Sequence, residues 1–131
     1  MDMLKFRGKS KRTREWVYGY YWTNENGNHF IRQTVDLNGC FSIADIEIDV
    51  ETLGQFTGFH DINKRDIYVG DMVQRGEYGN FEKYKVIWSS DIGAFEIKNK
   101  HGQLTLYGGL SERGSLEIIG NLCDNKDLID I

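Results

Sequence analysis

The chain has 131 residues, one domain's worth, with 27% charged residues, a formal net charge of −4, two cysteines and no proline. Without a long apolar run or an apolar N-terminal segment, neither a membrane span nor a signal peptide is expected. The absence of proline leaves no polyproline ligand segment or stiff linker.

The composition favours strands. Ala occurs only at Ala44 and Ala94, whereas Phe, Tyr and Trp number 7, 7 and 3 and Gly 15. Aromatic and β-branched side chains suit a pleated, half-buried surface, and glycine supplies tight turns. Cys40 and Cys123 are too few and too far apart for a disulfide scaffold, so two free thiols in a reducing cytoplasm are expected.

In chain order, Lys5, Arg7, Lys9, Lys11, Arg12 and Arg14 come first, opposed only by Asp2, and read as a basic arm on an acidic body. Such an arm can bind a polyanion or dock on acidic surface of its own or a neighbouring subunit. A strand from Glu15 to Trp22 follows, with Trp16, Tyr18, Tyr20 and Trp22 on one side. Asn24 to Asn28 is turn chemistry, His29 to Val35 a second strand, and Asn38-Gly39 a hairpin signal into a third. In that third strand Phe41 and Ile43 share one parity and Ile46 and Ile48 the other, which predicts a bulge near Ala44-Asp45.

Asp49 to Phe56 is ambiguous, since Asp49 could cap a helical turn that Gly54 weakens. Gly58 to Gly70 reads as a loop running into a strand over Ile67 to Val73. Further strands are expected at Phe81 to Trp88, Ala94 to Asn99, Leu104 to Tyr107 and Leu116 to Leu122, with one helical turn or a frayed end over Asp124 to Ile131. Short strands without helical crossovers predict a mainly β chain, all-β or α+β, built as a small antiparallel barrel or sandwich. The whole length, 1–131, reads as one domain that could divide near residue 58 into an N-terminal β region and a C-terminal small barrel. Gly70-Asp71 before a strand is similar to the turn that opens a strand in Src-homology-3-type barrels, which would place that architecture in the C-terminal half.

Three blocks carry a family likeness: Lys5-Phe6-Arg7-Gly8-Lys9 followed by Glu15-Trp16-Val17-Tyr18-Gly19; Thr52-Leu53-Gly54-Gln55-Phe56-Thr57-Gly58-Phe59-His60-Asp61 leading to Asp66-Ile67-Tyr68-Val69-Gly70-Asp71-Met72-Val73; and Glu117-Ile118-Ile119-Gly120-Asn121-Leu122. In that order they resemble the YopX family of phage and prophage proteins. The chain departs from the family pattern at Lys64-Arg65, where an Asn-Gly pair is common, and at Val69, where a Glu is. The resemblance implies a predominantly β fold and a bacterial or phage origin, and supplies no catalytic or binding residues.

Chemistry is sparse. Asp45, Glu47 and Asp49 alternate along one strand face, but neighbours there are about 6.6 Å apart and all three span roughly 13 Å, too far for one calcium ion. Asp61 to Met72 begins like a calcium loop yet has Asp66 where glycine and Met72 where glutamate is needed, so Asp61 and Asn63 read as turn formers. His29, His60 and His101 lie apart from each other and from both cysteines, so no zinc spacing exists and no metal or cofactor is expected. Binding is therefore expected rather than catalysis. The candidate surface is Lys5, Arg7, Lys9, Lys11, Arg12 and Arg14 together with Trp16, Tyr18, Tyr20 and Trp22. Single-strand binders combine a cationic track with aromatic planes for base stacking; an aromatic strand face also serves as core or subunit interface. A homo-oligomer and a nucleic acid are thus the two partner classes the residues offer.

Overall fold

The computed structural model describes residues 5–107 and 116–128. Strands account for most of this length and no α-helix is present among the described residues. The chain divides into two compact units, Met1–Phe56 and Thr57–Ile131.

In the first unit, β1 (Phe6–Ser10), β2 (Trp16–Thr23), β3 (His29–Leu37) and β4 (Cys40–His60, to Phe56 in this unit) pair antiparallel in sequence order. A further pairing of β1 with β4 closes the ring. The expected basic arm is therefore a strand and a turn. Phe6, Gly8 and Ser10 alternate with the cations, and Phe6 packs against the core of Val17, Ile31 and Ile48, joined by Tyr21, Ile46 and Leu53. Ser10 forms the following turn: its Oγ accepts the Arg12 and Thr13 N–H groups at 3.2 Å, and Arg14 takes φ 61°.

Closing a ring with four strands requires sharp bending, and Gly19 provides it. Residues 16–19 of β2 pair with β1, whereas residues 20–23 pair with β3. At this handover Gly19 has φ 157°, and a Cβ there would lie 2.0 Å from the Arg32 carbonyl oxygen. Only glycine fits.

The β3–β4 register runs unbroken from Phe30↔Glu47 to Leu37↔Cys40, so the bulge expected at Ala44-Asp45 does not form. The parity switch has another cause: Ile46 and Ile48 face the core, while Phe41 and Ile43 lie where the ribbon is exposed on both faces. The irregularity lies further on, where Arg7 pairs with Gly54 and Lys9 with Asp49, leaving residues 50–53 opposite Gly8. The cap-like chemistry of Asp49 serves this bulge. Its carboxylate accepts the Glu51 N–H at 3.1 Å, Thr52 Oγ1 donates to its carbonyl at 2.6 Å, and Lys9 N–H donates to Thr52 Oγ1 at 2.8 Å. Asp49 to Phe56 is thus strand, bulged rather than helical.

In the second unit the end of β4 pairs with β5 (Asp66–Tyr68). The remaining strands, β6 (Asp71–Glu77), β7 (Asn80–Ser89), β8 (Ala94–Asn99), β9 (Gly102–Thr105) and β10 (Glu117–Asn121), form an antiparallel sheet ordered β10-β6-β7-β8-β9. Two expectations change here. The loop expected from Gly58 begins as strand, and the strand expected over Ile67 to Val73 is cut by a turn. Gly70 takes φ 97° and Asp71 accepts the Tyr68 N–H at 2.8 Å. Ile67, Val73, Tyr84, Val86, Ile97, Leu106 and Leu116 form the core. A 3-10 turn spans Lys126–Leu128; residues 129–131, the rest of the expected helical turn, lie outside the described residues.

Candidate functional site

The six cations of the first segment are distributed over a strand and a turn rather than gathered on one track. Lys5 Nζ sits 4.7 Å from the Phe56 ring centre. Arg7 is buried with its guanidinium 4.5 Å over the Trp16 ring, and Lys9 Nζ lies 5.4 Å from that ring. Lys11 meets Glu47 and Arg14 meets Asp49, each at 3.3 Å, while Arg12 is exposed in the turn. The acidic row of β4 thus supplies counter-ions to this segment. Over residues 1–56 seven Lys and Arg face eight Asp and Glu, a net charge of −1.

The four rings on the even positions of β2 do not form the core of the first unit. Val17 is buried and Tyr21 packs against the core from the odd positions, whereas Tyr18 and Tyr20 are 45% and 55% exposed and Trp16 and Trp22 are partly buried. Cross-strand pairing assembles a wider outer face than β2 alone presents. Trp22 pairs with Phe30, and Tyr20 with Arg32. On β4, Glu47 lies beside Phe30, Asp45 beside Arg32, Ile43 beside Thr34 and Phe41 beside Asp36. Directly opposed residues share a face, so Tyr20, Trp22, Phe30, Arg32, Ile43 and Phe41 lie on one side.

At the centre of this face the Trp22 and Phe30 rings stack with centroids 4.7 Å apart. Arg32 grips Asp45 through Nε at 2.8 Å and Nη2 at 3.1 Å, and Trp22 Nε1 donates to Asp45 at 2.9 Å. The Arg32 guanidinium lies 5.4 Å over the Trp22 ring. Its hydrogen bonds hold the Asp45 carboxyl below the ordinary carboxylate value, and the pair raises Arg32 in return. Towards the hairpin tip the face continues through Ile43 and Phe41, which are 64% and 78% exposed. Reading β2 alone misses Phe30, Arg32, Ile43 and Phe41. The signal was Asn38-Gly39: a two-residue turn fixes the register, and the register puts these side chains beside β2's rings.

Residues 5–130 match the protein family described as YopX protein. The chain belongs to the YopX family. Among solved structures, protein EF1440 from Enterococcus faecalis is similar to it, with a TM-score of 0.64 and 17% identity over 96% of this chain and 97% of that one. At that identity the likeness shows a shared fold. No curated protein matches.

Elsewhere in this YopX family member, polar side chains are committed to structure. The Asp61 carboxylate, fully buried, accepts the N–H groups of Asn63 and Arg65 at 2.9 Å and of Ile118 at 3.0 Å. The turn-forming role read from sequence is thus seen directly, and Lys64 takes the left-handed position at φ 64°. His60 Nε2 lies 3.0 Å from Asp66, at the rim of a shallow cavity of about 420 Å³ lined by His60, Asp61, Ile62 and Lys64. The Asp61 oxygens are engaged by these backbone donors. Among the described residues no three His, Cys, Asp or Glu side chains converge on a metal position, and no helix is long and apolar enough to cross a membrane. Cys40 is exposed and Cys123 half-buried, and the two are not joined in a disulfide.

Proposed function

We propose that the chain is a binding protein rather than an enzyme, an accessory factor of phage or prophage origin that engages a protein partner through the outer face of β2, β3 and β4. The observation that carries this reading is the exposure of Ile43 and Phe41 in line with the Trp22–Phe30 stack. Phe41 and Ile43, neighbours on one face of β4, form an exposed apolar patch beyond the Arg32–Asp45 pair, and such patches are a feature of interaction sites. The composition also fits: aromatic residues and Arg are enriched in protein interfaces, and Trp, Tyr and Arg dominate their energetics. The matched charges of this unit favour a protein over a polyanion, because nucleic-acid affinity depends on cations that release counterions from phosphates. YopX membership supports the phage setting, and two cysteines not joined in a disulfide fit a reducing bacterial cytoplasm.

The test is a photo-cross-linking amino acid at Tyr20, with one at Asn26 in the exposed β2–β3 turn as the reference. Each is irradiated as purified chain and in bacterial extract. A discrete adduct is expected from position 20 and lost when Trp22 is changed to Ala. No adduct above the Asn26 reference in either preparation overturns the reading.

A further inference from the structure

We infer that the chain pairs with a second copy of itself, edge to edge along β4 at residues 40–44, which extends this face across both copies. The inference rests on the interaction reading above and adds a second copy at the edge of the same face.

The backbone supplies the first argument. Among the described residues, residues 40–44 of β4 pair only with β3, since the contacts with the β1 end of the unit begin at Glu47, whose carbonyl accepts the Lys11 N–H at 3.0 Å. The hairpin turn has both central residues at positive φ, Asn38 at 54° and Gly39 at 86°, the geometry of a type I′ turn. Such a turn makes Leu37↔Cys40 a hydrogen-bonded pair, and alternation then directs the N–H and C=O groups of Phe41 and Ile43 away from β3. They form an edge with no strand partner among the described residues, and both side chains are exposed.

The side chains supply the second. Open edges are ordinarily protected by Lys, Pro, a bulge or an inward charge. Cys40-Phe41-Ser42-Ile43-Ala44 carries none of these. The segment is uncharged and self-complementary about Ser42. An antiparallel pairing centred there sets Phe41 opposite Ile43 of the second copy, and Ile43 opposite its Phe41. These cross-strand aromatic/β-branched pairs are a favoured combination. Asp45 falls opposite the second copy's Gly39, so no like charges oppose each other. A nucleic acid gains nothing from an uncharged edge, whereas an identical strand satisfies every exposed backbone group on it. The two-fold axis stands perpendicular to the sheet, so the outer faces of both copies join into one wider face. The contact is small beside a standard interface of about 1,600 Å² of buried surface, so association depends on concentration.

The register is directly testable. Ser42 on the axis forms a non-hydrogen-bonded pair with its counterpart, Cα atoms about 4.5 Å apart, within the span a disulfide bridges. In a chain with Cys40→Ser and Cys123→Ser, Ser42→Cys is expected to form a disulfide-linked dimer under mild oxidation. Thr34→Cys, on the other strand of the ribbon, provides the collision rate. Ile43→Lys added to Ser42→Cys should reduce cross-linking to that rate. In the chain without substitutions, sedimentation should show a monomer–dimer equilibrium whose dissociation constant rises at least tenfold with Ile43→Lys. Ser42→Cys cross-linking no faster than Thr34→Cys, or a monomer at millimolar concentration, overturns self-pairing. If a Tyr20 adduct with a different protein persists in that case, the interaction reading stands and its partner is another chain.

Discussion

Arg32 and Asp45 face each other across β3 and β4, joined by hydrogen bonds of 2.8 and 3.1 Å, with the Trp22 indole N–H as a third donor to the same carboxylate. Both residues are solvent-exposed, so the pair's value is geometric: it fixes the guanidinium over the Trp22 ring and keeps the centre of the outer face near neutrality.

Asp45 therefore titrates below its ordinary value, chiefly through the Arg32 hydrogen bonds. A carboxyl lowered in the folded state contributes stability fully above its unfolded value of about 3.9 and loses it as pH falls through the native value. A carboxyl NMR titration should show the low midpoint in the parent chain and an upward move in Arg32→Gln, with a smaller move in Trp22→Phe. An Asp45 midpoint unchanged by Arg32→Gln would contradict this.

Gly19→Ala should unfold or severely weaken the first unit. The added Cβ meets backbone at 2.0 Å, a contact no side-chain rotation relieves. A loss of about 3 kcal/mol or more is expected, the upper end of overpacking costs. Chemical denaturation followed by Trp fluorescence measures it, and a loss below about 1 kcal/mol would mean that β2 can change partners without glycine.

Asp61→Ala leaves the N–H groups of Asn63, Arg65 and Ile118 without their acceptor. An unsatisfied donor costs about 1–3 kcal/mol when buried; these three are only part-buried, so the lower end of that range applies and a total loss of about 3 kcal/mol is expected. Asp61→Asn should retain part of the stability, because its one carbonyl oxygen still accepts. Lys64→Gly should act in the opposite direction, relieving part of the roughly 1–2 kcal/mol that a left-handed conformation costs a side chain. Equal effects of Asp61→Ala and Asp61→Asn would show that the backbone bonds are not what stabilises this turn.

Single-stranded DNA should bind weakly and without the steep salt dependence of a six-cation track. Full use of Lys5, Arg7, Lys9, Lys11, Arg12 and Arg14 would give a log–log slope near about −4. Fluorescence anisotropy of a labelled strand at several salt concentrations decides the matter, and a slope of that size would restore the nucleic-acid reading over the one proposed.

Much of the strand pattern was legible because alternation and turn chemistry are local. Ala94–Asn99 coincides with the segment expected from sequence, and β7 extends the expected Phe81 to Trp88 by a residue at each end. What was not legible depended on register. β1 read as an arm because its charges alternate with Phe6, Gly8 and Ser10, and the value of that alternation appears only when Val17 and Ile48 are known to lie beneath it. The outer face was half visible: the rings of β2 share a parity, but their continuation into Phe30, Ile43 and Phe41 is a property of three strands together. At Tyr68 to Asp71 the Gly70-Asp71 pair signalled a turn, while the apolar residues on both sides made the strand look continuous across it.

The ring of four strands also sets an order of events. Phe6 pairs with Gln55 and Lys9 with Asp49, so within this unit the strand made first waits for the last part of the fourth before its second edge is covered. Until then β1 has only β2 beside it. Closure of this unit is thus a long-range step, of the kind that slows β proteins relative to those assembled from sequence neighbours.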